Sequence, residues 1–221
     1  MTLKNVKSEL DKISKSLEVF ASGRQLIITE SKDIVKACRE SIAASNSANA
    51  AIPGNQEDML KKAQEKAEKA GQILKRLQKR MKNDYGRFWR QDLNEFFISA
   101  EQEVVEAFSL LAVIKKVDIP SREITFRTQN PGSYLKTKTT VKVSDLAYVL
   151  GLLDCIGELK RVIIDSLSRT DNDFAKKVFL DMQILFKKIE PFTEFSNSFH
   201  GLKHKIDGAR YSVKDAQQML K

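Results

Sequence analysis

The chain has 221 residues, enough for one large domain over positions 1–221 with a substantial core. Only four Pro and nine Gly stand in a background rich in Ala, Leu, Lys, Glu and Gln, a balance that favours helix over sheet. A formal charge of +9 and a pI near 9.4 point to a polyanionic partner, nucleic acid ahead of a membrane surface; an excess of solvated lysines accounts for the numbers equally well.

Leu3, Val6, Leu10, Ile13, Leu17 and Phe20 step by alternating threes and fours, and the stripe continues through Ile27, Ile34, Cys38 and Ile42. This predicts one long amphipathic helix over most of 3–45, with Gly23 as a tolerated weak point. Pro53-Gly54 marks a turn. A second helix is predicted over 57–82, where Leu60, Ala63, Ala67, Ala70, Leu74, Leu77 and Met81 repeat the step with small residues that permit close approach. Asn83-Asp84 reads as a break and N-cap. A third helix is predicted over 85–116, apolar nearly all round at its FSLLAVI end. Residues 117–143 read as a loop with a short hairpin, with a turn at Asn130-Pro131-Gly132. Ser144-Asp145 caps the next helix, and two more follow over 173–189 and 202–220, separated by Pro191. The fold class is therefore all-α, a bundle with long helices whose heptad-like stripes invite self-association.

Cys38 and Cys155 fall at apolar helical positions and read as buried free thiols of a reducing compartment. No stretch has the length of apolar sequence that spans a bilayer, and the first residues lack the apolar segment of a secretion signal. The expectation is a soluble cytoplasmic protein.

Charge is uneven along the chain. Residues 57–90 hold eleven Lys or Arg against five acids, a net of +6, whereas residues 91–118 hold six acids against two Lys, a net of −4. At the join, Tyr85-Gly86-Arg87-Phe88-Trp89-Arg90 mixes Arg with aromatic rings, a pairing that suits single-stranded nucleic acid. Phe88 and Trp89 also suit a core, and the lean to function rests on the arginines.

Four acids lie in otherwise apolar helical stretches: Glu103 and Glu106, three apart, and Asp154 and Glu158, four apart. Each pair projects from one helix face. Gly151 and Gly157 flank the second pair, where each costs about 1 kcal/mol against Ala unless a backbone or substrate must come close. Oxygen ligands without a neighbouring His or Cys select a hard cation, Mg²⁺ first and Mn²⁺ second. His200 and His204 lie far along the chain and share a face with neither pair. Pairing of the acids with lysines from other helices is the other reading.

The blocks LIITESKDIVKACR (26–39), RFWRQDLNEFFISAEQEVVEAFSLLAVI (87–114), LAYVLGLLDCIGELKRVIIDSL (146–167) and KIDGARYSVKDAQQML (205–220), in this order and spacing, resemble the translin family. Within it they are more similar to translin-associated factor X than to translin itself. The resemblance implies an all-α fold of about seven helices, assembly into a closed octameric shell that encloses RNA, and a metal-dependent endoribonuclease acting on single-stranded RNA. The family's catalytic glutamates match Glu103 and Glu106 in EQEVVEAFS, and its Asp–Glu pair matches Asp154 and Glu158 in GLLDCIGELKR. All four are present, whereas translin proper, the RNA-binding scaffold, lacks the complete set. The family's basic segments fall on Lys61, Lys62, Lys66, Lys69, Arg76 and Arg80, and on Arg87 with Arg90. The chain lacks the long insertion that factor X proteins of heteromeric complexes carry before the fourth helix. This favours a homo-oligomer over one that needs a translin-like scaffold partner.

The expected function is thus a Mg²⁺-dependent endoribonuclease with all four acids as catalytic metal ligands. The alternative is a non-catalytic scaffold that binds single-stranded RNA or DNA.

Overall fold

The computed structural model describes residues 4–51, 53–86, 93–129 and 136–221. Among them are six α-helices: α1 (Lys4–Ala50), α2 (Pro53–Tyr85), α3 (Ile98–Ile114), α4 (Asp145–Ser168), α5 (Asn172–Ile189) and α6 (Leu202–Met219). Short 3₁₀ turns at Asn94–Phe97 and Glu190–Phe195 lead into α3 and out of α5. The class is the all-α bundle the sequence predicts, with six α-helices against the about seven implied by resemblance.

The two longest helices, α1 and α2, form the most extensive pairing in the molecule. Small residues bring them together: Ala37, Ala44 and Ala48 of α1 and Ala63, Ala67 and Ala70 of α2 are all buried. Ser41 Oγ donates to the Ala63 carbonyl across the seam at 2.8 Å. The N-terminal end of the same stripe finds no such cover, and Val6, Leu10, Ile13 and Leu17 are 50–62 % exposed.

Three boundaries differ from the sequence reading. The predicted break at Asn83-Asp84 is helical: α2 runs on to Tyr85, and Asp84 lies 3.4 Å from Arg80 one turn earlier. The chain turns instead at Gly86, whose φ of +50° suits glycine. The predicted continuous helix over 85–116 is therefore not formed, and α3 starts only at Ile98. Gly23 is also no mere weak point. A Cβ there would stand 2.5 Å from Leu93 Cδ1 and 3.0 Å from the Tyr85 ring, so glycine lets the start of the α3 segment pack onto α1.

The hairpin is real: β1 (Glu123–Gln129) pairs antiparallel with β2 (Lys136–Lys142), with Ile124 opposite Val141. Ile124, Phe126, Val141 and Val143 are buried while their neighbours face out, the two-residue alternation of a strand pair with one dry face. Phe126 reaches Gly71 of α2, where a Cβ would stand 2.6 Å from its ring. The predicted turn at 130–132 lies outside the described residues.

Helices α3 and α4 cross closely in the centre of the bundle, because Gly151 of α4 faces the backbone of α3. A Cβ on Gly151 would fall 2.5 Å from the Gln102 carbonyl oxygen and 2.6 Å from Val105 Cβ. This contact brings the two acid pairs into register. Helix α4 starts as predicted, with the Ser144 side chain accepting from the Ala147 N–H.

Candidate functional site

Two of the four predicted acids, Glu106 and Asp154, line one cleft, and Glu103 and Glu158 stand close enough to act on Glu106 electrostatically. Gly157, His204, Lys205 and Gly208 line it with them, in a volume of about 430 Å³ between α3, α4 and α6. Each of the four side chains is half-buried. Their mutual influence shows in Glu106, whose carboxyl is pushed up to about 8, first by burial and then by the charges of Asp154, Glu103 and Glu158, against the pull of Lys205. Glu103 is also raised by burial and by Asp154, with Arg39 and Lys205 opposing.

The two cysteines lie beneath this cluster. Burial raises the Cys155 thiol, with Glu106, Glu158 and Asp154 adding to the effect. Cys38 is raised by burial and then by Glu103 and Glu106. Both are free and buried, as the sequence predicts.

Each oxygen of Asp154 has its own donor: Lys205 Nζ pairs with Oδ1 and Gln102 Nε2 donates to Oδ2. Asn46 Nδ2 of α1 donates to Glu158 Oε2 at 2.8 Å, and Arg161 stands 4.0 Å from the same oxygen. Among the described residues Glu103 and Glu106 have no hydrogen-bond donor. With the acids turned to these partners, no three Asp, Glu, His or Cys side chains among the described residues stand in metal-ligating geometry. The donor chemistry nonetheless fits a hard divalent cation. Two carboxylates line one cleft with two more beside it, Glu103 and Glu106 lack a donor among the described residues, and the buried Asn46 Oδ1 has no hydrogen-bond partner. The residues able to hold such an ion are Glu103, Glu106, Asp154 and Glu158.

Two members of the cleft escape a one-helix reading. His204, set apart from the acids in the sequence, lines the same cleft, and so does Lys205. Both come from α6, and helical spacing within α3 or α4 carries no information about which third helix closes the site.

The basic surface is also redistributed. Lys66 pairs with Glu40, Arg76 lies 3.6 Å from Glu30, and Arg80 lies 3.4 Å from Asp84. Lys61, Lys62 and Lys69 are exposed and have no ion pair among the described residues. Arg87 and Arg90 fall outside the described residues. A second cleft, about 550 Å³, gathers Lys75, Lys79 and Lys82 of the basic 57–90 window together with Lys142 of β2, which lies 3.8 Å from Glu123. Glu101 lies buried at its base, accepting from Gln78 Nε2 at 3.0 Å and from the Ser144 N–H at 2.9 Å. Burial raises this carboxyl, and those hydrogen bonds oppose the rise.

A helical bundle with four carboxylates on two crossing helices and a lysine-rich second cleft is the class these features define. A model of the translin family matches residues 22–220, and the chain belongs to that family. Two solved structures share its fold over 96 % of its length: AfC3PO in complex with duplex RNA (TM-score 0.70, 22 % identity, 94 % of that chain) and AfC3PO alone (TM-score 0.70, 22 % identity, 95 % of that chain). Apo-NeC3PO matches at a TM-score of 0.59 with 19 % identity, over 96 % of this chain and 95 % of that one. No curated protein matches the chain. No described helix is long and apolar enough to cross a membrane.

Proposed function

We propose that this chain is a divalent-cation-dependent endoribonuclease of the translin-associated factor X type, acting in the cytoplasm on single-stranded RNA. The observation that carries the reading is Glu106 and Asp154 facing one cleft with Glu103 and Glu158 beside them, Glu106 being held up to about 8 by burial and then by the other three charges. Mg²⁺, or Mn²⁺ in its place, would supply charge neutralisation at a scissile phosphate and activation of water when bound there. The protein's own contribution is positional. Gly151 sets the distance between the acid-bearing helices, and Gln102 and Asn46 hold the carboxylates of Asp154 and Glu158 in place. Gly157 and Gly208, which have no atoms within 4 Å of a would-be Cβ, keep the mouth open. The exposed lysines, with Arg87 and Arg90 beside them in sequence, bind phosphates through salt-dependent contacts. The duplex RNA bound by AfC3PO supports RNA as the ligand class.

The exposed apolar stripe of Val6, Leu10, Ile13 and Leu17, with Leu180 and Ile184 on α5, supports a self-assembling homo-oligomer.

Cleavage of a single-stranded RNA in Mg²⁺, beside a duplex of the same sequence, tests the activity in wild type, Glu106→Ala and Asp154→Ala. The proposal expects metal-dependent cleavage of the single strand and its loss in both variants. Equal activity in either variant would overturn it. The pairing of Asp154 with Lys205 favours one other reading, an RNA-binding scaffold without chemistry. That reading expects retained binding and no cleavage by any of the three proteins.

A further inference from the structure

We infer that Lys205 is a built-in counter-ion of the acid cleft, bound to Asp154 while the site holds no metal and expelled from it by an arriving divalent cation. The inference rests on the carboxylate-site reading above and adds a competitor to it.

Lys205 reaches the cleft from α6, the one wall that carries none of the four acids. Its ammonium pairs with Asp154 Oδ1, and the two side chains are only 29 % and 25 % exposed. The same lysine is the cation that opposes the upward push on Glu106 and one of two that oppose it on Glu103. One ammonium ion therefore screens three of the four acids. Such a cluster would otherwise hold several partly dehydrated like charges, an arrangement that proteins relieve by protonation or by a cation.

A divalent ion competes for the same oxygen with twice the charge. The displaced ammonium keeps its hydration, because the cleft beside it is open at Gly157 and Gly208. Gln102 stays on Asp154 Oδ2 throughout, so the exchange alters the partner of Oδ1 without releasing the carboxylate. Lys205 is in this sense a positioning residue: it keeps the metal-free acids assembled and weakens metal binding by the affinity it must give up.

The test measures Mn²⁺ binding by electron paramagnetic resonance and calorimetry on the full chain, for wild type, Lys205→Met, Lys205→Arg and Asp154→Asn. Met keeps the aliphatic stem and removes the charge. The expected result is Mn²⁺ binding about tenfold tighter in Lys205→Met, near wild type in Lys205→Arg, and lost in Asp154→Asn. The metal-free Tm of Lys205→Met should fall below wild type, and Mn²⁺ should raise it by more than it raises wild type. Unchanged or weaker Mn²⁺ binding in Lys205→Met, with loss in Asp154→Asn, would overturn the role of Lys205 and leave the carboxylate site standing. Absence of Mn²⁺ binding in all four proteins would remove the site and the counter-ion together.

Acylation of lysines in wild type, read residue by residue by mass spectrometry, serves if Lys205→Met does not fold. Mn²⁺ should raise the labelling of Lys205 severalfold over that of Lys160, whose pair with Asp215 lies outside the cleft. Labelling of Lys205 that ignores Mn²⁺ would overturn the inference.

Discussion

The acid cleft and the lysine cleft hold opposite charges and hold them in opposite ways. Around Glu106 the charges are half-buried, close together and set on rigid helices, so each perturbs its neighbours. Around Lys79 they sit on exposed side chains at one face of α2 and the rim of β2, where water screens them. A cluster of the first kind stores electrostatic energy that a bound cation releases. A surface of the second kind costs the fold little and suits the salt-dependent attraction of phosphates. The contrast also predicts where substitution is felt. Changes in the acid cleft register as stability, pH dependence and metal affinity, whereas changes in the lysine cleft register as binding alone.

The largest expected effect tests what holds the acid cleft together. Gly151→Val forces a branched side chain into the Gln102 carbonyl, where even a Cβ would stand 2.5 Å away. It should cost about 3 kcal/mol or more in urea unfolding. Gly157→Ala, six residues on, meets nothing within 4 Å and should gain up to about 1 kcal/mol from helix propensity. Similar effects at the two glycines would show that the α3–α4 crossing is looser than described.

Next comes the pH response of the metal-free protein. Folded Glu106 keeps its proton up to about pH 8, well above the ordinary range of a glutamate. Between the two the folded state binds more protons than the unfolded state, so stability falls as pH rises through the window. The fall should be on the order of 2 kcal/mol after allowance for partial exposure, and it should be smaller in Glu106→Gln, where only the raised carboxyls of Glu101 and Glu103 remain. Chemical denaturation in chelator at pH 5 and pH 8 measures it. Parallel pH dependence in the two proteins would mean that the acids do not crowd Glu106.

The smallest effect belongs to the lysine cleft. Lys75→Ala and Lys79→Ala should leave stability within about 0.5 kcal/mol of wild type. Each should lower the slope of log affinity for single-stranded RNA against log salt by about 0.7. Arg76→Ala should change that slope less, because Arg76 already faces Glu30 at 3.6 Å. A larger loss at Arg76 than at Lys79 would move the binding surface back to the residues that the family resemblance implies.

Much of the fold was legible because amphipathic periodicity and cap residues are local signals. The spacing of Ala63, Ala67 and Ala70 announced a close helix seam, and all three are buried. Ser144 announced a cap and makes one. Periodicity was silent, however, on what covers a stripe. Leu10 and Ile34 follow the same three-four step on α1, yet Leu10 is 58 % exposed and Ile34 fully buried, because only the second meets the rest of the bundle. It also gave no hint that α2 would run through Asn83 and Asp84, where the turn is made by Gly86 instead.

The pairing of Glu103 with Glu106 and of Asp154 with Glu158 on single helix faces follows from spacing alone, since a helix returns to one face every three or four residues. Which faces meet is decided by contacts far apart in the chain. Gly151 against the Gln102 carbonyl joins the two pairs, and α6 brings in Lys205 and His204 from about fifty residues downstream. The sequence by itself determined the acids, the helices that carry them and the basic excess beside them. The tertiary structure alone decided that Glu106 and Asp154 line one cleft with Glu103 and Glu158 beside them, that a lysine already occupies it, and that basic charge gathers between α2 and the hairpin. Local spacing specifies a surface, and only packing specifies its partner.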